Sequence, residues 1–180
     1  LADLSGARPQ VLSNAHTSFD PALKRELLAL NTSGADEIDR AARAGNELAR
    51  RYADAVAAVL AKSKALPSAI RAIGCHGQTV RHRPERGYTT QIGNAARLAE
   101  LTGIRVVADF RSRDVAAGGQ GAPLAPAFHA AVFAQAAEDR AVLNLGGIAN
   151  LSFLPRQGEV IGFDSGLTMA NGTTAKVFGW

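Results

Sequence analysis

Gly118-Gly119-Gln120-Gly121 puts three glycines into four residues, just after Asp109-Phe110-Arg111-Ser112-Arg113-Asp114 and just before Ala122-Pro123. Glycine reaches backbone conformations closed to other residues, so such a run constrains the local path more than any other stretch of the chain. Ile104–Ala108 precedes it as a β-branched run that reads as a central strand. Leu124–Ala137 follows as an Ala-rich helix. A strand, a glycine-rich loop and a helix in that order place the loop at a strand's carboxyl end, where open α/β sheets bind ligands. Asp114 stands at the mouth of the loop, between Arg113 and the glycines. A carboxylate held near Arg stays ionised and can take a proton from an attacking hydroxyl or water. The plainer alternative is that Asp109 and Asp114 pair with Arg111 and Arg113. The glycine spacing matches neither the P-loop nor the dinucleotide fingerprint.

The rest of the chain alternates helices with strands. Two short strands are expected within residues 1–19, with a turn at Ser5-Gly6-Ala7-Arg8-Pro9. Asp20-Pro21 reads as an N-cap and first helical residue for a helix over 21–30. Residues 36–62 read as the clearest helix, with Ile38, Ala42, Leu48, Tyr52, Val56, Val59 and Leu60 on one stripe. Its arginines read as a solvated face. Further strands are expected over Ser68–Cys75, Tyr88–Ile92, Val142–Leu145, Ile148–Leu154 and Val160–Phe163. A helix over Asn94–Leu101 is expected to be capped by Asn94 and stopped by Gly103. This pattern predicts an α/β protein with a mixed sheet flanked by helices. A fresh hairpin near residue 141 suggests a second lobe, so the expected domains are 1–138 and 139–180.

Several classes are excluded or disfavoured. Cys75 is the single cysteine of the 180 residues, which excludes an intramolecular disulfide framework and a Cys-only zinc site. No apolar run is long enough to span a membrane as a helix. Residue 1 is Leu and the one Met is Met169, so the chain reads as an excised or processed piece. The expected location is the cytoplasm. Net charge is only +4, which is weak support for nucleic-acid binding. That excess is local: residues 71–113 hold eight Arg and three acidic residues.

Two further polar constellations stand out. Gly74-Cys75-His76-Gly77-Gln78-Thr79-Val80-Arg81-His82 follows a buried strand, and Gln78 and Thr79 are suited to fixing hydroxyls and amides. Gly77 would let backbone approach a ligand closely. Cys75 and His76 are adjacent on a strand, so they point to opposite faces and make a poor nucleophile–base pair. Asn144-Leu145-Gly146-Gly147-Ile148-Ala149-Asn150 reads as a tight hairpin with backbone N–H groups suited to phosphate oxygens. Gly162-Phe163-Asp164-Ser165-Gly166 follows it, and an Asp closely followed by Gly suits a water-mediated Mg²⁺–phosphate contact.

Taken together, IGCHGQTVRHRP, YTTQIGNAARLAELTGIRVVADFRSRDVAAGGQGAPLAPAFH, VLNLGGIANLSFLP and GFDSG resemble the anhydro-N-acetylmuramic acid kinase family, from residue 10 to residue 166. That family belongs to the sugar kinase, heat-shock ATPase and actin superfamily. The resemblance implies two ribonuclease-H-like lobes around a cleft, with the sugar-side lobe and the start of the ATP-side lobe present here. It implies ATP-dependent opening of a 1,6-anhydro sugar by water and phosphorylation of O6, giving N-acetylmuramic acid 6-phosphate in peptidoglycan recycling. By likeness, Asp114 matches the general base. Gln78, Thr79 and His82 would line the sugar pocket, and Gly118, Gly119 and Gln120 would shape the wall beside Asp114. Gly146, Gly147 and Asn150 match the phosphate-binding hairpin. Asp164 matches the acidic residue near Mg²⁺, reached through water.

The implied partners are the sugar and ATP, with no nucleic acid and no membrane, and a homodimer is left open. The family's Gly-Thr-Ser-x-Asp-Gly phosphate loop has no counterpart in this sequence, and the tail from Leu167 to Trp180 departs from the family pattern. The chain alone is therefore expected to be inactive. A non-catalytic sugar-binding module and a nucleic-acid-binding domain are the alternatives.

Overall fold

A computed structural model describes residues 1–6, 8–145 and 148–167, with side chains for all of these except 148 and 164–167. The chain divides into two compact units, Leu1–Gly119 and Gln120–Trp180, so the helix over 125–133 groups with the strands that follow it.

The first unit opens with β1 (Ala2–Asp3) paired antiparallel to β2 (Gln10–Val11). Helix α1 (Pro21–Ala29) starts as its sequence demands. Pro21 sits in the first turn, and the Asp20 carboxylate accepts from Ala22 N at 2.6 Å and Leu23 N at 3.3 Å. Such a cap satisfies helix-start N–H groups that no carbonyl can reach.

Helix α2 (Glu37–Ser63) follows. Its fully buried positions are Ala44, Gly45, Leu48 and Ala49; of the expected stripe, Leu48 is buried, Tyr52, Val56, Val59 and Leu60 are half-buried, and Ala42 and Ile38 are exposed, Ile38 at 89%. Small residues win these positions because neighbouring backbone comes close. Asn94 N donates to the Gly45 carbonyl at 3.1 Å, and a Cβ on Gly45 would lie 3.4 Å from Gly93 N. Of the arginines of α2, Arg43 and Arg50 are exposed and Arg51 is half-buried, whereas Arg40 reaches back to Glu26 of α1 at 2.7 Å. Arg43 pairs with Asp39, and Arg50 and Arg51 both pair with Glu47.

A 3-10 turn at Pro67–Ala69 shortens the strand expected over Ser68–Cys75 to β3 (Ile73–Cys75). Next come β4 (Gln78–Arg83), a turn at Pro84–Arg86, and β5 (Tyr88–Ile92), forming an antiparallel hairpin whose first strand the sequence reading missed. Helix α3 (Ala95–Thr102) is capped by the Asn94 side chain, which accepts from Arg97 N at 2.8 Å, and stopped by left-handed Gly103. Strand β6 (Val106–Ala108) pairs parallel to β3, and α4 (Ser112–Ala116) lies within the segment expected to be loop.

Two apolar clusters share α2. One face meets Leu23, Leu27, Leu30 and Val80 through Ala44 and Leu48; the other meets Cys75 and Leu98 through Ala49. Leu30, Leu48 and Leu98 are almost wholly buried, and each such leucine stabilises by about 2 kcal/mol.

In the second unit, α5 (Ala125–Phe133) precedes an antiparallel meander of β7 (Arg140–Asn144), β8 (Ile148–Leu154) and β9 (Ile161–Leu167). The helix stops at Phe133 rather than Ala137, because Ala134 turns extended and Arg140 Nη1 donates to the Phe133 carbonyl at 2.9 Å. It is seated on the meander at two points. Gly162 lies so close to the Pro126 ring that a Cβ there would overlap it, and His129 Nδ1 lies 2.8 Å from Oγ of Ser152, which is 1% exposed.

The architecture is mixed α/β, as expected. Among the described residues, however, the strands form four small sheets rather than one mixed sheet. The turn at His76-Gly77 redirects the chain after three residues of β3, so β4 pairs with β5 instead of extending the β3–β6 pair.

Candidate functional site

The carboxyl ends of β3 and β6, the strand β5 and the start of α4 enclose a cavity of about 350 Å³. Its lining includes Cys75, His76, Thr89, Gln91, Asp109 and Ser112. The position agrees with the expectation for parallel strand ends.

Each wall has a local cause. Gly77 has φ +73°, and a Cβ there would lie 2.6 Å from the Ile92 carbonyl oxygen. The close approach expected at Gly77 is thus made to the backbone of β5. It closes the floor between the two hairpin strands. Asp109 adopts left-handed φ 56°, and its Oδ1 accepts from Ser112 N at 3.2 Å, which turns the chain from β6 into α4. Arg111 Nε donates to His76 Nε2 at 2.7 Å, so the ring proton sits on Nδ1, 3.0 Å from the Gly77 carbonyl.

Asp114 lies in α4, which packs against β5. Gly119 N donates to the Asp114 carbonyl at 2.8 Å, and the Asp114 carboxylate lies directly over the Gly119 Cα. A Cβ at Gly119 would sit 2.6 Å from Asp114 Cγ. The glycine run therefore has a specific purpose at this position: it leaves room for the carboxylate. Gly118 has φ +92° with open space around its Cα, so its requirement is conformational. Gln120 is exposed and belongs to the second unit. Gly119→Ala is expected to push Asp114 off its rotamer at about 1 kcal/mol. If Asp114 is the base, turnover falls roughly tenfold, with little change in the unfolding midpoint. Steady-state kinetics beside thermal melts check this.

The hairpin residues divide by face. Gln78 is the register partner of Ile92, whereas Thr79 pairs with Gln91 and His82 with Thr89. Thr79 and His82 are three residues apart, which on a regular strand puts them on opposite faces. A β-bulge between Thr79 and Arg81 changes the parity and brings both onto the Thr89–Gln91 face. Val80 and Arg81 turn the other way. Val80 enters the core, and Arg81 pairs with Glu37 of α2. Part of the basic excess of residues 71–113 is therefore tied to the fold. Thr89 and Gln91, which line the cavity, escaped the sequence reading, whereas Asp109 and Ser112, which also line it, lie in the segment that reading singled out without a site role. The one signal for the first two is the run of hydroxyl and amide side chains in Tyr88-Thr89-Thr90-Gln91.

Burial raises the Cys75 thiol above its ordinary range, the backbone of Gly77 opposing. Burial, and then the neighbouring Cys75, push the Tyr52 hydroxyl up to about 12. The folded state thus holds the phenolic proton more tightly than the unfolded chain, whose value lies near 10. Stability from this group is complete below pH 10 and is lost as pH rises toward 12. Urea midpoints measured from pH 8 to pH 11 should fall more steeply for the native chain than for Tyr52→Phe.

In the second unit, Asn144, Asn150 and Asp164 occupy one register row across β7, β8 and β9. Gly146, Gly147 and the Asp164 side chain lie outside the described residues. Among the described residues, no three His, Cys, Asp or Glu side chains cluster as a metal site, and no helix is long and apolar enough to cross a membrane.

The first unit, with its cavity at parallel strand ends, is of the mixed α/β class. Comparison with known sequences narrows the class. The family profile for anhydro-N-acetylmuramic acid kinase matches residues 1–171, and the chain belongs to that family. It is 64% identical over 162 residues to the anhydro-N-acetylmuramic acid kinase of Bordetella petrii, covering 90% of this chain and 43% of that protein. With the kinase of the same name from Nitrosospira multiformis it shares 55% identity over 168 residues, covering 92% and 46%. With that of Variovorax paradoxus it shares 58% over 175 residues, covering 92% and 47%. The chain thus spans less than half the length of these relatives.

Proposed function

We propose that this chain forms the sugar-side lobe and the start of the ATP-side lobe of an ATP-dependent kinase that opens and phosphorylates anhydro-N-acetylmuramic acid. The family match over residues 1–171 carries the reading, and the fitted Asp114–Gly119 pair supports it. Asp114 takes a proton from water as the water oxygen bonds to the anomeric carbon. The C1–O6 anhydro bond breaks, O6 bonds to the γ-phosphorus of ATP as the bond to the β-γ bridging oxygen breaks, ADP leaves, and Asp114 releases its proton to solvent. The product is N-acetylmuramic acid 6-phosphate, an intermediate of cell-wall recycling, made in the cytoplasm. Such transfer depends mainly on positioning and on stabilising charge.

The remaining assignments belong to the same reading. Gln78, Thr79 and His82 serve the sugar side, directly or through neighbours, and Gly118, Gly119 and Gln120 shape the wall beside Asp114. Gly146, Gly147 and Asn150 bind ATP phosphates. Asn150 and Asp164 are register partners on adjacent strands, and their side-chain oxygens are of the type Mg²⁺ prefers. Mg²⁺ would supply charge neutralisation at the phosphates. The two units correspond to portions of two ribonuclease-H-like lobes.

The test is an ADP-release assay with the anhydro-sugar, using a protein of the relatives' full length that carries these residues. Sugar-dependent ADP release and a 6-phosphorylated product support the reading. Sugar binding with neither would make this a binding module instead.

A further inference from the structure

We propose that Gln91 is the residue through which the cavity hydrogen-bonds a polar group of the sugar, a hydroxyl or an amide, and that Thr79 and His82 are positioning residues behind it. The proposal rests on the sugar-kinase reading above and deepens it. Gln91 and Thr89 line the cavity, whereas Gln78, Thr79 and His82 do not. Gln91 Nε2 donates to Thr89 Oγ1 at 2.8 Å and to Thr79 Oγ1 at 3.2 Å. One end of the amide is thus held within the hairpin by two hydroxyls, and the other end is left to meet a ligand.

The side chain is anchored from behind. Thr89 Oγ1, which bonds Gln91, lies 2.9 Å from His82 Nδ1. The relay His82–Thr89–Gln91–Thr79 exists because the bulge puts all four side chains on one face. Hydroxyls donate or accept, so the two threonines hold the amide in place while its outward end can match a hydroxyl or an amide of the ligand.

The test uses the relatives'-length protein, with wild-type sugar phosphorylation measured first. If the wild type does not phosphorylate the anhydro-sugar, the kinase reading fails, and this proposal, which rests on it, fails with it. With an active wild type, Gln91→Met is expected to raise the KM for the sugar roughly tenfold, the loss of one ligand hydrogen bond, with the KM for ATP unchanged. Thr79→Val is expected to raise the sugar KM by a smaller factor, and Thr79→Ser, which keeps the hydroxyl, to restore it. Thermal melts of all three identify any variant that is merely unfolded. Unchanged sugar KM in folded Gln91→Met would overturn the proposal. A parallel rise in both KM values, or Thr79→Ser behaving as Thr79→Val, would reduce the relay to a structural role.

Discussion

Asp114→Asn, in a protein of the relatives' full length, is expected to lower sugar-dependent ADP release by about 10²- to 10⁴-fold, the range for loss of a general base. Sugar affinity should stay within a few-fold of the native value. Asn fills the same space above Gly119, so the close fit of the 114–119 segment survives while proton acceptance does not. Single-turnover kinetics and calorimetry with the anhydro-sugar separate the two quantities. Turnover that persists at the native rate removes Asp114 from the role of base. Turnover and affinity lost together would make Asp114 a binding group. The contrast with Gly119→Ala is informative, because that change keeps the carboxylate and alters only where it stands.

The largest expected effect on stability comes from Gly77→Ala. Its left-handed backbone costs an L-residue about 1–2 kcal/mol. The added Cβ would also lie 2.6 Å from the Ile92 carbonyl, a backbone atom that can move only if β5 moves. A total near 3 kcal/mol follows, at the upper end of what single substitutions do. The unfolding midpoint should fall by roughly 6–12 °C. Gly87→Ala is the control. Gly87 has φ +75° but nothing within 4 Å of its would-be Cβ, so it should lose only the conformational part, about 1 kcal/mol. Equal losses at the two positions would mean that the contact with Ile92 carries no weight.

What the sequence disclosed about this fold was what is decided locally. Asp20 before Pro21, and Asn94 and Gly103 around α3, are read within four residues of themselves, and all behave as read. The features it withheld depend on distant partners. Ile38 satisfies the helical period of α2 but stands in its first turn, where nothing packs over it, while small Ala44 and Gly45 are buried because other segments come close. Strand β4 escaped because five of its six residues are polar and its bulge breaks the two-residue alternation that marks a strand.

The site divides the same way. Asp114 and Gly119 stand out from sequence spacing. Thr89 and Gln91 gain their setting only when β5 is folded beside the ends of β3 and β6. The cavity wall is thus a product of long-range pairing, and no window of sequence contains it.

The bulge between Thr79 and Arg81 also governs how this hairpin can change length over evolutionary time. Its extra residue lets Val80 meet the leucines of α1 and α2 while Thr79 and His82 both serve the opposite face. Deleting one of the two residues there would restore regular alternation, but it would remove either the core Val80 or the Arg81 that pairs with Glu37 of α2. The far end of the same hairpin is under no such restriction. The turn at Pro84–Arg86 leads into Gly87, which has open space around it, so insertions can accumulate there while the residue count between Gly77 and Arg83 stays fixed.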